Sequence, residues 1–352
     1  MPLQAAHHDP RGGFRNPWPG SALPRFPSLI RWGIERRVRG IPPDPDPSVF
    51  THVTPAFSTP RAAADVLTVT WIGHATALIQ IGGRNVLTDP MFGERASPVS
   101  FAGPRRWVAP GVALAALPPL DLILLSHNHY DHLDVGSVRA LTARFPGTPW
   151  MVPRGLAATV SKVGWRHGQD GRDRRDRQMI RELDWWEPVT LGGLTVAATP
   201  AQHFSARGPF DRNRTLWCGF AIAAEQHRVY FAGDTGDHPE FAHIAERLGP
   251  FDLALLPIGA YEPRWFMRPV HLNPEEAVQA FLDLGGGDRG VLMGIHWGTF
   301  KLTDEPMDEP PARTMAAWEK AGLPAERIWI PRHGETRTFS GNGKRETGND
   351  AA

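Results

Sequence analysis

The stretch SHNHYDHLD, residues 126–134, is the most informative part of this sequence. It follows an apolar run, residues 120–125, that predicts a short buried strand. Positions 127, 129, 131 and 132 place three histidines and one aspartate within six residues. A helix would point these side chains in different directions, whereas a loop leaving a strand end can turn all of them inward. Imidazole and carboxylate donors without thiolate favour zinc or another divalent ion at an open, catalytic site.

Further ligand candidates follow apolar runs elsewhere in the chain. His203, Asp234 and His296 each come shortly after a run that predicts a strand. One cluster supplies too few donors for two metal shells, so these distant residues are needed to complete a two-metal site. The seven metal-ligand candidates are His127, His129, Asp131, His132, His203, Asp234 and His296.

Composition limits the classes of protein that this chain can represent. Its 352 residues are 41% hydrophobic and 21% charged, which is typical of a globular protein. The formal net charge of +1 is too small to attract nucleic acid to the molecule as a whole, and we predict no nucleic-acid partner. Cys218 is the single cysteine, which excludes a disulfide framework and a thiolate metal cage. No secretory leader or run of roughly 18 apolar residues is found, so we expect a cytoplasmic protein, with peripheral contact to a membrane left open.

Residues 1–65 form a Pro- and Arg-rich arm that contains one short amphipathic helix. Arginines lie between apolar residues at helical spacing, so the helix either docks on the main domain or contacts anionic lipid head groups. The apolar positions are Phe26, Leu29, Ile30, Ile34 and Val38. We interpret residues 66–340 as a single catalytic domain and residues 341–352 as a disordered tail.

The main domain alternates strand and helix patterns twice. A Gly-Gly pair at positions 82 and 83 separates two β-rich runs and predicts a hairpin. Helices are predicted over residues 138–145, 274–284 and 312–320. This order predicts an α+β fold, an αββα four-layer sandwich of two packed mixed β-sheets flanked by helices.

Longer motifs resemble the N-acyl-phosphatidylethanolamine-hydrolysing phospholipase D family of the metallo-β-lactamase fold superfamily. The resemblance covers roughly residues 14–337. Its motifs are FRNPWP, WIGHATALI, LTDPMF, ASPVSFAGPRR, SHNHYDHLD, ELDWWE, TPAQHF, FAGDTG, PIGAYEPRWFM, HLNPEEA and IHWGTF. The resemblance implies hydrolysis of N-acyl-phosphatidylethanolamine to N-acylethanolamine and phosphatidic acid, by water activated between two metals, in a homodimer.

The same resemblance implies two zinc ions, Zn²⁺, per chain, bridged by Asp234. The implied ligands are His127, His129 and His203 for the first ion, and Asp131, His132 and His296 for the second. Asp131 and Asp234 would also orient the nucleophile, and are therefore predicted to be catalytic.

Three residues of the stretch 261–276 are predicted to contact the substrate. His271 is predicted to contact the phosphate or the leaving group and to be catalytic, with a structural hydrogen bond as the alternative. Tyr261 and Arg264 belong to the same motif and are predicted to bind substrate.

Supporting roles are predicted for two residues near the metal motifs. Asp134 either orients a ligand histidine or is a surface carboxylate, and His74 supports the metal site rather than binding metal. The Arg/Asp-rich run at residues 166–181 is interpreted as a solvated loop, with lipid or phosphate contact as the alternative.

Two other functions remain open on sequence grounds. The first is another hydrolase of this fold, such as a lactonase, a β-lactamase, a nuclease or a different phosphodiesterase, because the pocket rather than the fold sets the substrate. The second is a membrane-associated binding protein with a vestigial site. The presence of all seven ligand candidates argues against this second alternative.

Overall fold

The computed structural model describes residues 6–19, 21, 26–164, 179–287, 289–340 and 345–346. Most of the Arg/Asp-rich run at 166–181 lies outside the described residues. Within these ranges, every helix falls short of the length and apolar character that crossing a bilayer requires.

The first sheet contains eight strands and is mixed. Its strands are β1 Val66–Gly73, β2 Thr76–Ile81, β3 Arg84–Thr88, β4 Leu122–Leu124, β5 Trp150–Pro153, β6 Ile180–Leu183, β14 Thr336–Ser340 and β15 Arg345–Glu346. Their order is β15-β14-β1-β2-β3-β4-β5-β6. Neighbours from β3 to β6 are parallel, and the remaining pairs are antiparallel. The β2–β3 hairpin turns at the predicted Gly-Gly pair, which has positive φ at both residues.

The second sheet contains seven strands and is also mixed. They are β7 Pro188–Leu191, β8 Leu194–Thr199, β9 Gly219–Ala223, β10 Arg228–Phe231, β11 Leu253–Pro257, β12 Val291–Ile295 and β13 Ile328–Trp329, in the order β13-β12-β11-β10-β9-β8-β7. Strands β10 to β13 are parallel. Because β8 and β10 both run antiparallel to β9, they run in the same direction as each other.

The described helices are α1 Phe26–Arg39, α2 Val135–Arg144, α3 Ala157–Gly164, α4 Glu240–Leu248, α5 Arg264–Met267, α6 Pro274–Phe281 and α7 Glu309–Lys320. Five of them cover the outer faces of the sheets, whereas α1 packs against α5. One apolar cluster joins α2 and α3 to the first sheet, a second joins α4, α6 and α7 to the other sheet, and a third fills the space between the sheets. The predicted four-layer αββα sandwich is confirmed.

Every residue of strand β11 is apolar because both faces of the strand are buried. Leu253 and Leu255 contribute to the cluster between the two sheets. Ala254 and Leu256 contribute to the cluster beneath the helices. Successive side chains of a strand point to opposite faces, so a strand buried on both faces needs apolar residues at every position.

Several element boundaries differ from the predicted ones for local reasons. The predicted helix 138–145 begins at Val135, because Asp134 caps it by accepting hydrogen bonds from the backbone N–H groups of Gly136 and Ser137. Helix α6 ends at Phe281 instead of the predicted residue 284. A π-helical turn, which is wider than an α-helical turn, follows it, and Gly285 in that turn has a φ of 78°. Two residues of the predicted disordered tail form β15 against β14.

The N-terminal arm packs on the domain next to β6. His7 stacks on Trp185 with ring centroids 4.2 Å apart, and its Nε2 lies 2.6 Å from Oδ1 of Asp184. Further along the arm, Nδ2 of Asn16 donates to the backbone carbonyl of His203 at 2.9 Å. The arm therefore contacts the backbone of a predicted metal ligand.

Candidate metal centre

The seven predicted ligands meet at one edge of the sandwich. The cluster 127–132 follows β4, and the three distant ligands follow β8, β10 and β12, which run in the same direction. Loops at the carboxyl ends of such strands converge at one edge, which is why residues far apart in sequence come together. Gly233 permits the approach, because a Cβ on this residue would lie 2.6 Å from Cβ of Ser126 and its φ is +61°.

The first half-site consists of His127, His129 and His203. Nδ1 of His129 lies 2.9 Å from Nε2 of His127 and 3.1 Å from Nε2 of His203. His127 and His203 are buried, and His129 is partly exposed. Three ring nitrogens therefore face one point that is accessible from one side.

Hydrogen bonds on the far side of two rings set their tautomers. Nδ1 of His203 donates to the carbonyl of Val270 at 2.8 Å. Oγ of Ser126 donates to Asp89, so it accepts from Nδ1 of His127 at 2.9 Å. Both Nε2 atoms are consequently lone-pair donors that point at the half-site, as metal-ligating histidines require.

The second half-site consists of Asp131, His132 and His296. Oδ2 of Asp131 lies 3.4 Å from Nε2 of each histidine, and the two Nε2 atoms lie 3.3 Å apart. His132 and His296 are buried, whereas the carboxylate of Asp131 is partly exposed. Nε2 of His74 lies 2.9 Å from the same Oδ2 atom, so a hydrogen bond from His74 can hold the carboxylate of Asp131 in place.

Asp234 lies between the two half-sites. Its Oδ2 is 3.1 Å from Nε2 of His132, 3.8 Å from Nε2 of His203 and 3.9 Å from Nε2 of His127. Its Oδ1 is 3.2 Å from Nε2 of His296. One carboxylate thus faces histidines of both half-sites, which is the placement that a bridging ligand needs.

The donor set fits divalent cations. In the first half-site, the lone pairs of His127 and His203 both face Nδ1 of His129, and one proton there can serve only one of the two contacts. Buried lone pairs that face one another repel unless a cation lies between them. The site supplies imidazole and carboxylate donors with no thiolate, which suits zinc. The donor atoms of His127, His129 and His203 lie close enough together to share one cation, as do those of Asp131, His132 and His296, with His74 beside the second group.

The electrostatics of the two half-sites differ. Burial lowers the pKa of His129 to about 3, so this ring is neutral and able to bind a cation. In the second half-site burial also disfavours charge, but Asp234 and Asp131 outweigh it and raise the pKa of His296 to about 9. Burial raises the pKa of Asp234, yet the neighbouring His132 and His296 more than offset this and hold it well below its usual range. The carboxylates therefore attract positive charge to this side of the centre.

The carboxylate that orients a ligand histidine is Asp89, not Asp134. Oδ2 of Asp89 lies 2.6 Å from Nδ1 of His132, and both groups are fully buried. The prediction that Asp134 orients a ligand is wrong, because both of its oxygens accept hydrogen bonds from the first turn of α2. Asp89 follows β3, and this position at the carboxyl end of an apolar strand was the signal that could have identified it.

Backbone strain is concentrated at the centre. His74, Asp89 and His296 have φ values of 55°, 27° and 63°, in the region that favours glycine. Ala260, on the loop after β11, has a φ of 65°. Such strain persists only where the surroundings enforce it, and it commonly marks functional sites.

The predicted substrate-binding residues occupy different environments. Nδ1 of His271 lies 4.0 Å from Oδ2 of Asp234 and makes no hydrogen bond within the described ranges. Arg264 lies behind His271, where it donates to the backbone carbonyl of His271 at 3.0 Å and pairs with Glu276 at 2.6 Å. Oη of Tyr261 donates to Glu309. The structure therefore brings His271 to the ligands, and it places Arg264 and Tyr261 in supporting contacts.

The amino-acid sequence is similar to one known domain family and to several known proteins. Residues 84–297 match the β-lactamase superfamily domain. An uncharacterized protein of Mycobacterium tuberculosis is 44% identical over 274 residues, which cover 76% of this chain and 70% of that protein. N-acyl-phosphatidylethanolamine-hydrolyzing phospholipase D 1 of Caenorhabditis elegans is 45% identical over 250 residues, which cover 69% of this chain and 67% of that protein.

A solved structure supports the fold. The isothiocyanate hydrolase from Delia radicum gut bacteria aligns with a TM-score of 0.59 and 23% identity, over 78% of this chain and 99% of that one. The matched superfamily domain, residues 84–297, contains all seven ligand candidates.

Proposed function

The chain belongs to the β-lactamase superfamily and is a metal-dependent hydrolase, and we propose that it is a zinc-dependent phosphodiesterase of the phospholipase D type. Its substrate in this proposal is N-acyl-phosphatidylethanolamine, and its products are N-acylethanolamine and phosphatidic acid. The support for this substrate is the 45% identity to the C. elegans enzyme that is named for the reaction.

The position of Asp234 carries the proposal. Its Oδ2 faces His132 at 3.1 Å and His203 at 3.8 Å, so a single carboxylate reaches both half-sites. Two divalent cations held there would lower the pKa of a shared water towards neutrality and offset the charge on the phosphoryl oxygens.

The residues of this chain then position the reactants. The partly exposed Asp131 and the buried Asp234 would hold the cations and orient the attacking water. The water adds to phosphorus, the bond from phosphorus to the ethanolamine oxygen breaks, and a proton from the water passes to the departing alkoxide. Phosphatidic acid and N-acylethanolamine result, with atoms and charge balanced.

In this proposal His271 binds the reacting phosphate. Its side chain is only slightly exposed, and its Nδ1 has no hydrogen-bond partner among the described residues. Burial holds its pKa well below the usual range, so the ring is neutral and can donate one hydrogen bond to a phosphoryl or leaving oxygen. A preorganised donor of this kind stabilises charge that develops in the transition state.

Hydrolysis in ¹⁸O-labelled water tests the proposal. Zinc-loaded protein is incubated with N-acyl-phosphatidylethanolamine, and the products are identified by mass spectrometry. We expect N-acylethanolamine without label and phosphatidic acid with one labelled oxygen on phosphorus. Asp234→Asn is the matched inactive control, because the amide supplies one fewer anionic oxygen at the same position.

Two results would overturn this assignment. Label in the N-acylethanolamine hydroxyl would mean that carbon rather than phosphorus is attacked. Intact phospholipid, together with ring opening across a panel of lactones, would assign the chain to the lactonase alternative instead.

A further inference from the structure

We propose that helix α1 and two aromatic loop tips beside the metal centre form a docking surface for an anionic lipid bilayer. This inference rests on the proposed function, because it names the physical form in which the substrate reaches the site. The docking surface consists of Ile30, Ile34, Val38, Phe101 and Phe210.

One face of α1 is fixed to the domain. Nε1 of Trp32 donates to Oδ2 of Asp304 at 2.6 Å, and the Trp32 ring lies 5.0 Å from that of Phe266. One turn further, Glu35 accepts a hydrogen bond from Nε1 of Trp265 at 2.9 Å. These contacts settle which side of the helix faces the protein.

The opposite face of α1 is an apolar stripe. Ile30, Ile34 and Val38 are spaced four residues apart, and they are 53%, 58% and 78% exposed. Single exposed apolar residues are ordinary on protein surfaces, but a continuous helical stripe turned away from its own domain indicates a binding surface.

Two further exposed aromatic residues lie on loops that adjoin the metal centre. Phe210, 92% exposed, is on the loop that begins at Phe204, whose ring lies 4.4 Å from that of the predicted ligand His129. Phe101, 82% exposed, lies on the loop that precedes Arg106. The guanidinium carbon of Arg106 lies 4.7 Å from the centroid of the Phe300 ring. Phe300 in turn contacts His74, so both loops border the site.

Helix α1 shares an apolar cluster with one of these loops. Trp32 and Phe204 both pack against the cluster formed by Phe266, Met267 and Val270. The carbonyl of Val270 accepts the hydrogen bond that orients His203. The stripe is therefore attached to a segment that contacts a predicted metal ligand, and a bilayer on this stripe would lie beside the centre.

The charge of α1 selects an anionic bilayer as the occupant. The helix FPSLIRWGIERRVR contains four arginines and one glutamate. Arg37 and Arg39 are exposed and form no ion pair in the part of the chain that the structure describes. Arginines that flank an apolar stripe bind anionic head groups while the stripe enters the interface. A second copy on the same face would oppose these arginines, which disfavours self-association.

Vesicle cosedimentation tests the docking surface. The test variant is Ile34→Glu with Val38→Glu, and a second variant is Phe210→Glu. Leu191→Glu is the matched control, because Leu191 is also exposed and lies at the end of β7, away from these elements. The vesicles contain either phosphatidylcholine alone or an equimolar mixture with phosphatidylglycerol.

We expect the wild-type protein and Leu191→Glu to bind the mixed vesicles and to bind phosphatidylcholine much more weakly. The double variant should lose roughly a hundredfold or more in vesicle affinity, because each lost apolar side chain changes partition by more than about tenfold. Turnover of water-soluble bis(p-nitrophenyl) phosphate should match that of the wild-type protein, which shows that the variant is folded.

Three results would overturn the inference. They are wild-type vesicle affinity in the double variant, equal affinity for neutral and anionic vesicles, and a wild-type dimer that the double variant converts to monomer. The last would identify a second copy as the occupant. Because binding is measured without hydrolysis, vesicle binding without phospholipid cleavage would instead overturn the proposed function and leave the docking surface intact.

Discussion

Oδ2 of Asp89 lies 2.6 Å from Nδ1 of His132, and the same carboxylate accepts hydrogen bonds from N and Oγ of Ser126. Ser126 in turn holds Nδ1 of His127 at 2.9 Å. The buried carboxylate of Asp89 thus orients one predicted ligand in each half-site, directly for His132 and through Ser126 for His127. Asp89 lies behind the histidine rings, whereas Asp234 lies between the two half-sites.

Replacing Asp89 should therefore weaken both half-sites. In Asp89→Asn the amide nitrogen cannot accept, so either His132 or Ser126 loses its partner. We expect zinc affinity to fall by about 10- to 100-fold, which is typical when an outer partner of a ligand histidine is lost. Competition with a chromogenic chelator measures this, and unchanged affinity for both ions would contradict it.

Asp134→Ala should act on stability and spare the metals. Removing the cap of α2 should lower the free energy of unfolding by about 1 kcal/mol. Zinc affinity should stay at the wild-type level, because Asp134 contacts the backbone of α2. Denaturant titration and chelator competition on the same sample separate this variant from Asp89→Asn. A loss of zinc affinity equal to that of Asp89→Asn would restore the original prediction for Asp134.

His271→Phe should reduce turnover without removing metal. Phenylalanine approximates the shape of the ring and cannot donate a hydrogen bond to the phosphate. We expect kcat to fall by about 10²- to 10³-fold, the usual effect of losing one donor to developing negative charge. Zinc content, measured by atomic emission, should equal that of the wild-type protein. Normal kcat would remove His271 from the mechanism, and loss of zinc would make it a ligand.

Acid should release the N-terminal arm through Asp184. Burial opposes ionisation of Asp184, but hydrogen bonds from His7 and His8 outweigh it and lower its pKa to about 2. A carboxyl whose pKa is lower in the folded state stabilises the fold above its unfolded pKa of about 3.9, and loses this contribution as the pH falls towards 2.

Metal-free wild-type protein and Asp184→Asn provide the comparison for this prediction. The difference in their free energy of unfolding should be larger at pH 5 than at pH 3. Equal differences at the two pH values would show that the ionised carboxylate contributes nothing to holding the arm.

The sequence identified the seven residues that the structure brings together, because their pattern is local or tied to strand ends. The cluster 127–132 is continuous, and His203, Asp234 and His296 each follow an apolar run. Loops at the ends of strands that run in one direction converge, so such residues can be linked without knowing the full topology. The alternating apolar runs likewise predicted two sheets with outer helices.

Contacts between distant segments could not be predicted in this way. Asp134 was considered as a supporting carboxylate, with a surface carboxylate as the alternative, because it is near the cluster in sequence, whereas Asp89 reaches His132 across 43 residues. Tyr261 was predicted to bind substrate from its motif, and nothing in the sequence indicated that its hydroxyl donates to Glu309, 48 residues away. Strand β7 was missed because most of its side chains are exposed, which leaves little apolar pattern to detect.

In the proposed function, Asp234 joins two half-sites into one two-metal centre. Anomalous diffraction from zinc-loaded crystals, collected on both sides of the zinc absorption edge, would locate both ions and the ligands of each. We predict two peaks, one bound by His127 and His203, the other by His132 and His296, with a carboxylate oxygen of Asp234 bound to each ion. A single peak, or two peaks of which only one contacts Asp234, would show that Asp234 does not bridge two metals.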